Sequence, residues 1–234
     1  MDRRIEFADR AAYFPDADAL VLADLHLGRA HTSNVDFPLN EGHETLDRLD
    51  ALLEQFSPET VVFAGDVLHS FKTVPVPARE ALDRLTERVE REATLVVVRG
   101  NHDEQLDRVS DGEVVDSHRL SDGTVVCHGH EAPDIDSDAT PGRYVVGHNH
   151  PTIEIESRRY PCLLYGPNCY RGGDVVMLPS FTTLAAGVLV NRKRANDFQS
   201  PLLARPKQFH PAVRDEESEE TLWFPPLGKL RRML

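Results

Sequence analysis

Five times along this chain a short apolar run gives way to Asp, Asn or His. Leu20-Val21-Leu22-Ala23 runs into Asp24 and His26, and Val61-Val62-Phe63-Ala64 into Gly65 and Asp66. Leu95-Val96-Val97-Val98 leads through Arg99 to Gly100-Asn101-His102-Asp103. Val125-Val126-Cys127 precedes His128-Gly129-His130, and Tyr144-Val145-Val146 precedes Gly147-His148-Asn149-His150. Runs of this kind read as strands buried on both faces. Open α/β sheets gather ligands outside the carboxyl ends of their strands. Polar clusters at five strand ends therefore describe one site, placed where the strands stop.

The segments between these runs set the fold class. Residues 5–23 read as strands, the last of which carries the first cluster. Residues 41–56 place Leu46, Leu49, Leu53 and Phe56 on one helical face, with Asn40 as a cap and Pro58 as a stop. Residues 77–92 repeat the pattern with Pro77 near the start and Ala81, Leu82, Leu85 and Val89 on one side. With strands at 60–64 and 94–98, the order is β–α–β–α–β, which calls for a parallel sheet covered by helices. Beyond residue 112, Asp-Gly, Pro-Gly and Gly-Gly turns separate short strands up to about residue 190. That half is expected to form a second sheet or to extend the first. An acidic loop covers 130–142. After 191 the pattern is irregular, with Leu222-Trp223-Phe224 as a last strand stopped by Pro225-Pro226.

Composition narrows the class. A chain of 234 residues fits one α/β domain and can bury a substantial core. The net charge is −13, and the only lysines are Lys72, Lys193, Lys207 and Lys229. Acid excess with so few lysines reads as adaptation to high salt, where repulsion is screened. It also disfavours broad electrostatic binding to nucleic acid, while leaving room for a small local basic patch. Three cysteines, Cys127, Cys162 and Cys169, make no framework and fit a reducing cytosol as buried apolar groups. The N-terminus lacks an apolar signal segment. The uncharged stretch 175–190 is short for a membrane span and is broken by Pro179 and Gly187. The expected setting is cytoplasmic, with no membrane partner.

The clusters carry a recognisable chemistry. Asp24, His26, Asp66, Asn101, His128, His148 and His150 offer carboxylate, amide and imidazole donors without thiolate. Such a set suits Mn, Fe or Zn in a reactive site rather than a structural cysteine-rich zinc site. Seven ligands are too many for one ion and about right for two, and the two oxygens of a carboxylate such as Asp66 can serve both. Two adjacent cations activate water and offset charge on a phosphoryl group.

The order Asp-x-His, Gly-Asp, Gly-Asn-His-Asp, His-Gly, Gly-His-x-His resembles the motif series of calcineurin-like metallophosphoesterases, and all five blocks occur in order between residues 24 and 150. The resemblance implies a four-layer αββα sandwich of two mixed β-sheets flanked by helices. It implies a phosphoesterase domain over residues 1–204, with 205–234 as a C-terminal extension packed on it. It implies two divalent transition-metal ions, Mn²⁺ first among Mn, Fe, Zn and Ni. Asp24, His26 and His150 would hold one ion and Asn101, His128 and His148 the other, bridged by Asp66. His102 would be a catalytic histidine near the leaving group, oriented by Asp103. The expected reaction is hydrolysis of a phosphodiester in nucleic acid or in a cyclic or small nucleotide. Phosphomonoester hydrolysis and a non-catalytic scaffold are the alternatives.

A narrower resemblance rests on Ala23-Asp24-Leu25-His26-Leu27-Gly28-Arg29, Gly65-Asp66-Val67-Leu68-His69, Cys127-His128-Gly129-His130 and the tail Phe198 to Leu203. These look like archaeal phosphoesterases related to the bacterial ligase-associated DNA-damage-response phosphoesterase. The Asp-Leu-His-Leu block also resembles UDP-diacylglucosamine pyrophosphatase, a family with arginine at the place of His102. Arg29, His69 and His130 are candidate substrate contacts, set against ordinary surface or packing roles. His31, His43, His118 and His210 lack motif context and read as structural. Arg158-Arg159 and Arg192-Lys193-Arg194 read as solvated turns, and Trp223 as a packing anchor. The oligomeric state is open.

The charge reading has a direct check. Thermal unfolding followed by circular dichroism should shift to higher temperature as KCl is added, because screening relieves acid–acid repulsion. A midpoint indifferent to salt would remove the halophilic reading.

Overall fold

The apolar runs pair in chain order. The computed structural model describes residues 5–29, 41–69, 73–110, 112–135, 140–192, 198–215 and 217–231. In it, β1 (Glu6–Ala8), β2 (Ala11–Phe14), β3 (Ala19–Leu22), β4 (Thr60–Ala64), β5 (Thr94–Val98) and β6 (Val114–Val115) form one six-stranded sheet in that order. β1 to β3 run antiparallel, and β3 to β6 run parallel. The expected stretch 5–23 is thus three strands with tight turns between them. The segment after residue 112 does both things expected of it: β6 extends the first sheet, and the chain then starts a second.

That second sheet has seven strands in the order β16-β15-β12-β13-β9-β8-β7. They are β7 (Ser117–Arg119), β8 (Val125–Cys127), β9 (Arg143–Val146), β12 (Leu163–Tyr170), β13 (Gly173–Met177), β15 (His210–Asp215) and β16 (Glu220–Trp223). β8, β9 and β13 are parallel, and the remaining pairs are antiparallel. A small third sheet joins β10 (Pro151–Ile155) to β11 (Arg158–Pro161) and β14 (Val188–Leu189). Arg158 and Arg159 therefore stand on a strand, not in a turn.

Alternation along each strand sorts side chains into three apolar layers. Leu20, Leu22, Val61 and Phe63 face the helices α1 (Glu41–Phe56) and α2 (Val76–Glu90), meeting Leu49, Leu53, Leu82 and Leu85. Val21, Ala23, Val62 and Val98 face the other way, against Val126, Val145 and Val176 of the second sheet. Cys127, Tyr144, Val146 and Met177 point to the outer face of that sheet, where Ile153, Phe209, Leu227 and Leu230 cover them. α2 begins after Pro75 and carries a second proline in its first turn, where a missing N–H costs nothing. The αββα arrangement is present. Its fourth layer is built mainly from β10, β11, β14 and C-terminal chain, with one short helix, α3 (Leu227–Leu230). Trp223 packs edge-on against Tyr165 at 6.2 Å, and all three cysteines are free and buried.

Asn40, His31, Lys193, Arg194 and residues 136–139 of the acidic loop lie outside the described residues. No helix among the described residues is long and apolar enough to cross a membrane.

Phe209 is fully buried, and its backbone N–H and carbonyl tie the 206–208 turn to Leu227. Phe209→Ala should cost about 3–5 kcal/mol, the range for deleting a buried aromatic ring. Urea denaturation should show it as a lower midpoint with an unchanged slope. A loss below about 1 kcal/mol would mean that the C-terminal cover is not packed as described.

Candidate metal centre

Strands β3, β4, β5, β8 and β9 end at one edge of the sandwich, and each delivers its polar cluster there. The ladder between β3 and β4 continues past the strands: Asp24 N–H donates to Gly65 O at 3.0 Å, His26 N–H to Asp66 O at 2.9 Å and Leu27 N–H to Val67 O at 2.8 Å. The two motif loops are thereby zipped together. Gly147 N–H donates to His128 O at 3.0 Å and does the same for β8 and β9. Across the sheets, Phe181 N–H donates to Ala23 O at 2.8 Å.

The side chains then converge in two groups. Asp24, His26 and His150 present ligand atoms that lie within 4.8 Å of one another, as do Asp66, His128 and His148. His26 Nε2 and His150 Nε2 are 3.1 Å apart, and His150 Nε2 is 3.2 Å from Asp24 Oδ1. In the other group His128 Nε2 lies 3.3 Å from Asp66 Oδ1 and 3.1 Å from Asn101 Oδ1. Asp66 faces both groups, since its Oδ2 is 3.9 Å from His26 Nε2. Separations near 3 Å between ligand atoms match donors about 2.0–2.2 Å from a shared ion. Hard oxygen and imidazole donors without sulfur fit two divalent transition metals.

Second partners fix which ring nitrogen faces inward. His128 Nδ1 lies 3.1 Å from Ala64 O, so it carries the proton and leaves Nε2 for the centre. His26 Nδ1 lies 3.4 Å from His69 Nδ1, which plays the same part for His26 Nε2. Backbone geometry is equally particular. Asp24, His26, Asp66, His148 and His150 all have positive φ, between 43° and 70°. Non-glycine residues adopt this region rarely and at a cost.

Burial makes the electrostatics severe. Asp24, Asp66, His26 and His128 are at most 2% exposed. Burial pushes the Asp24 carboxyl up, but attraction and hydrogen bonding from His150, with attraction from His128, hold it below the usual carboxylate range. For Asp66 the hydrogen bond and charge of His128 and the His102 N–H outweigh burial in the same direction. Burial lowers His26 to about 3 and His148 to about 4, so both rings are neutral donors. His128 goes the other way: burial lowers it, yet Asp66 and Asp24 raise it to about 9.

Seven of the eleven histidines meet here. His102 packs edge-on to His26 at 5.4 Å and stacks on His69 at 5.6 Å, with its Nε2 3.9 Å from Asp66 Oδ2. His130 packs against His128 at 5.3 Å and opens onto a cleft of about 490 Å³ lined by Arg99, Glu131 and Asp134. Burial and then the charge of nearby Arg29 lower His69. Asp103 does not grip the His102 ring. It is fully buried, and its carboxylate accepts the backbone N–H groups of Gly100 at 2.8 Å, Leu68 at 2.9 Å and Val67 at 3.2 Å. It acts on His102 through the backbone, by clamping the loop after β5 to the loop after β4. His43, His118 and His210 stay outside these ring contacts, and His210 Nδ1 pairs with Phe224 O at 3.2 Å.

Several supports of the centre have no signal in the local pattern. Ser180 Oγ donates to Asp24 O at 2.8 Å, and Thr182 N–H reaches the same oxygen at 3.4 Å. Arg10 and Arg48 hold this loop from behind through the carbonyls of Thr182 and Phe181, each at 2.7 Å. Asn149 Oδ1 accepts Gln199 N–H at 3.1 Å, tying the last motif to the tail. These partners are 50 to 172 residues apart in sequence, beyond any local pattern.

Gly100 supplies a test of the centre's tolerance. A Cβ there would overlap the backbone nitrogen and carboxylate of Asp66. Gly100→Ala should therefore lower the metal bound per chain while far-ultraviolet circular dichroism stays that of the parent. Full metal content, measured by plasma mass spectrometry, would show that Asp66 does not need this close approach.

No curated protein sequence matches the chain. Among solved structures, the nuclease MPE of Pseudomonas putida superimposes with a TM-score of 0.62 at 23% identity, covering 94% of this chain and 93% of that one. YfcE, a phosphoesterase from E. coli, gives 0.45 at 14% identity, covering 89% of this chain and 98% of that one. The model of the calcineurin-like phosphoesterase family matches residues 18–186, a span that holds all five strand-end clusters. The chain belongs to the calcineurin-like phosphoesterase family.

Proposed function

We propose that this protein is a dinuclear-metal-dependent phosphodiesterase. The observation that carries the reading is Asp66, which sits between two ligand groups with one oxygen toward each and with His102 beside it. Asp24, His26 and His150 would hold one ion, Asn101, His128 and His148 the other, and Asp66 both. When bound, the two ions would lower the pKa of a shared water and neutralise charge gathering on the phosphoryl oxygens. Mn²⁺ is the favoured metal.

The protein's own groups then do the positioning. Ala64 O and His69 orient His128 and His26 so that their Nε2 atoms face inward. His102 donates its backbone N–H to Asp66 Oδ1 at 2.9 Å, which aims the carboxylate. Its ring, a quarter exposed, stands at the mouth of the centre. There a proton on Nε2 can reach the departing oxygen of an ester. Alkoxide leaving groups need such a proton far more than phenolates do, which favours diester chemistry. Asp103 is a positioning residue that keeps His102 in place through the Gly100 N–H. Arg29 and His130 flank the approach and would contact substrate. His69, the third candidate contact, also supports His26 through its Nδ1.

Finer parts of the reading rest on the motif blocks and composition. The Ala23–Arg29, Gly65–His69 and Cys127–His130 blocks support kinship with archaeal phosphoesterases related to the ligase-associated DNA-damage-response enzyme. They also support a nucleic-acid or nucleotide substrate. Acid excess supports a salt-rich cytoplasm. Pairing of β15 with β12 supports residues 205–234 as part of the catalytic domain.

The test is to strip the protein with a chelator and add back Mn²⁺, Zn²⁺, Mg²⁺ or Ni²⁺ in high salt. Bis-p-nitrophenyl phosphate should be hydrolysed in preference to p-nitrophenyl phosphate. His102→Ala should lose about 10²–10⁴-fold in turnover of an alkyl-ester substrate, with metal content unchanged. Preference for the monoester would make the protein a phosphomonoesterase. Absence of turnover with every metal, in folded protein, would make it a scaffold.

A further inference from the structure

The edge that carries the metal centre holds a second cavity, of about 320 Å³. Arg10, Arg48 and Arg214 line it, with Asp9, Tyr160 and Thr183. Three guanidinium groups thus face one carboxylate, in a chain whose net charge is −13. Their duties differ. Arg48 is consumed: it pairs with both oxygens of Asp9 at 2.7 and 2.8 Å, donates to Phe181 O and lies 4.1 Å over the Phe181 ring. Arg10 donates to the carbonyls of Thr182 and Ser180. Arg214 stands on β15 opposite Thr221, and its side chain makes no hydrogen bond or ion pair among the described residues. It is half-buried and turned to the cavity. A half-buried guanidinium without an anion forgoes the pairing that offsets its lost hydration. Its planar fork matches a phosphate.

One loop separates this cavity from the metal centre. Residues 180–182 bond to Asp24 and Ala23 on one side and to Arg10 and Arg48 on the other. A small ester would occupy the centre alone. A polynucleotide brings a phosphate with every nucleotide, and those beside the scissile bond must cross the same edge.

We propose that this cavity is a second phosphate subsite, in which Arg214, backed by Arg10, takes a backbone phosphate of a polynucleotide. The inference rests on the diesterase reading for its purpose, but not for its measurement. It makes the substrate a nucleic-acid strand rather than a cyclic nucleotide. It also places the positive charge of an acidic enzyme where a strand would use it.

The experiment measures anisotropy of a labelled, phosphorothioate-backbone single strand of about 12 nucleotides on the metal-loaded protein over a KCl series. Arg214→Gln should weaken binding about tenfold at low salt and flatten the salt slope by about one, while Arg214→Lys retains most of the affinity. Turnover of bis-p-nitrophenyl phosphate should be unchanged in both variants. Equal binding by Arg214→Gln and the parent overturns the subsite. So does a parent that hydrolyses the small diester but does not bind the strand, a result that leaves the diesterase reading standing. An Arg214 dependence equally strong for a mononucleotide would make the cavity a small-anion site and overturn the polynucleotide assignment. Arg214-dependent strand binding without turnover of any ester supports the subsite and removes the diesterase instead.

Discussion

Two buried carboxylates govern this fold. Asp24 and Asp66 are almost without solvent contact, and burying a charge of either kind is expensive unless it is matched nearby. Their matching groups are imidazoles from the far sheet, His128, His148 and His150, and backbone N–H groups of His102 and His148. Neither sheet can satisfy its own half. The apolar layer between the sheets brings the faces together, and the polar edge makes their relative position specific. In the metal-free protein, raised His128 supplies part of the missing positive charge. Two divalent ions would supply it in full, so that metal binding and sheet–sheet registration draw on the same interaction.

Backbone strain is concentrated at the same place. Five of the seven candidate ligands sit at positive φ, each two or four residues past the end of its strand. Side chains leaving a regular strand alternate between faces and would point into the core or the helices. A left-handed residue at the strand end turns the side chain out of that alternation and toward the edge. Strain of about 1–3 kcal/mol per such residue is carried by the parallel strands below, whose ladder fixes the entry to every loop. This explains why the motif glycines adjoin the ligands. Gly65 has a φ of 82°, and its missing Cβ is what leaves room for the His128 ring.

The candidate ligands were legible because each lies within four residues of a run whose pattern names it as a buried strand. The helices were legible for the same reason, and their observed bounds differ from expectation by at most two residues. What local pattern does not encode is pairing across the chain. The 210–215 strand alternates poorly, with Pro211 near its start, and is defined only by its partners β12 and β16. The carboxylate of Asp103 offers no clue, beside His102, that it faces away toward three backbone N–H groups. His69 reads from the sequence as a candidate substrate contact because it follows a motif. Its second duty, the meeting of its Nδ1 with that of His26, has no local pattern to announce it.

The charge of the chain and the chemistry of its site pull in opposite directions, and the structure separates them in space. Net charge acts over the whole surface and repels an anionic ester at long range, though salt shortens that range to about 3 Å at 1 M. Inside the Debye length only local groups matter. At this edge the local groups include the candidate metal ligands, Arg29 and the Arg10–Arg214 cavity, with Asp9 already neutralised by Arg48. In concentrated salt a basic surface would gain such a chain little and an acidic one would cost it little. On the proposed reading, recognition of phosphate would come from directed, partly buried contacts, and Arg10, Arg29 and Arg214, in a chain with four lysines, are residues suited to that task.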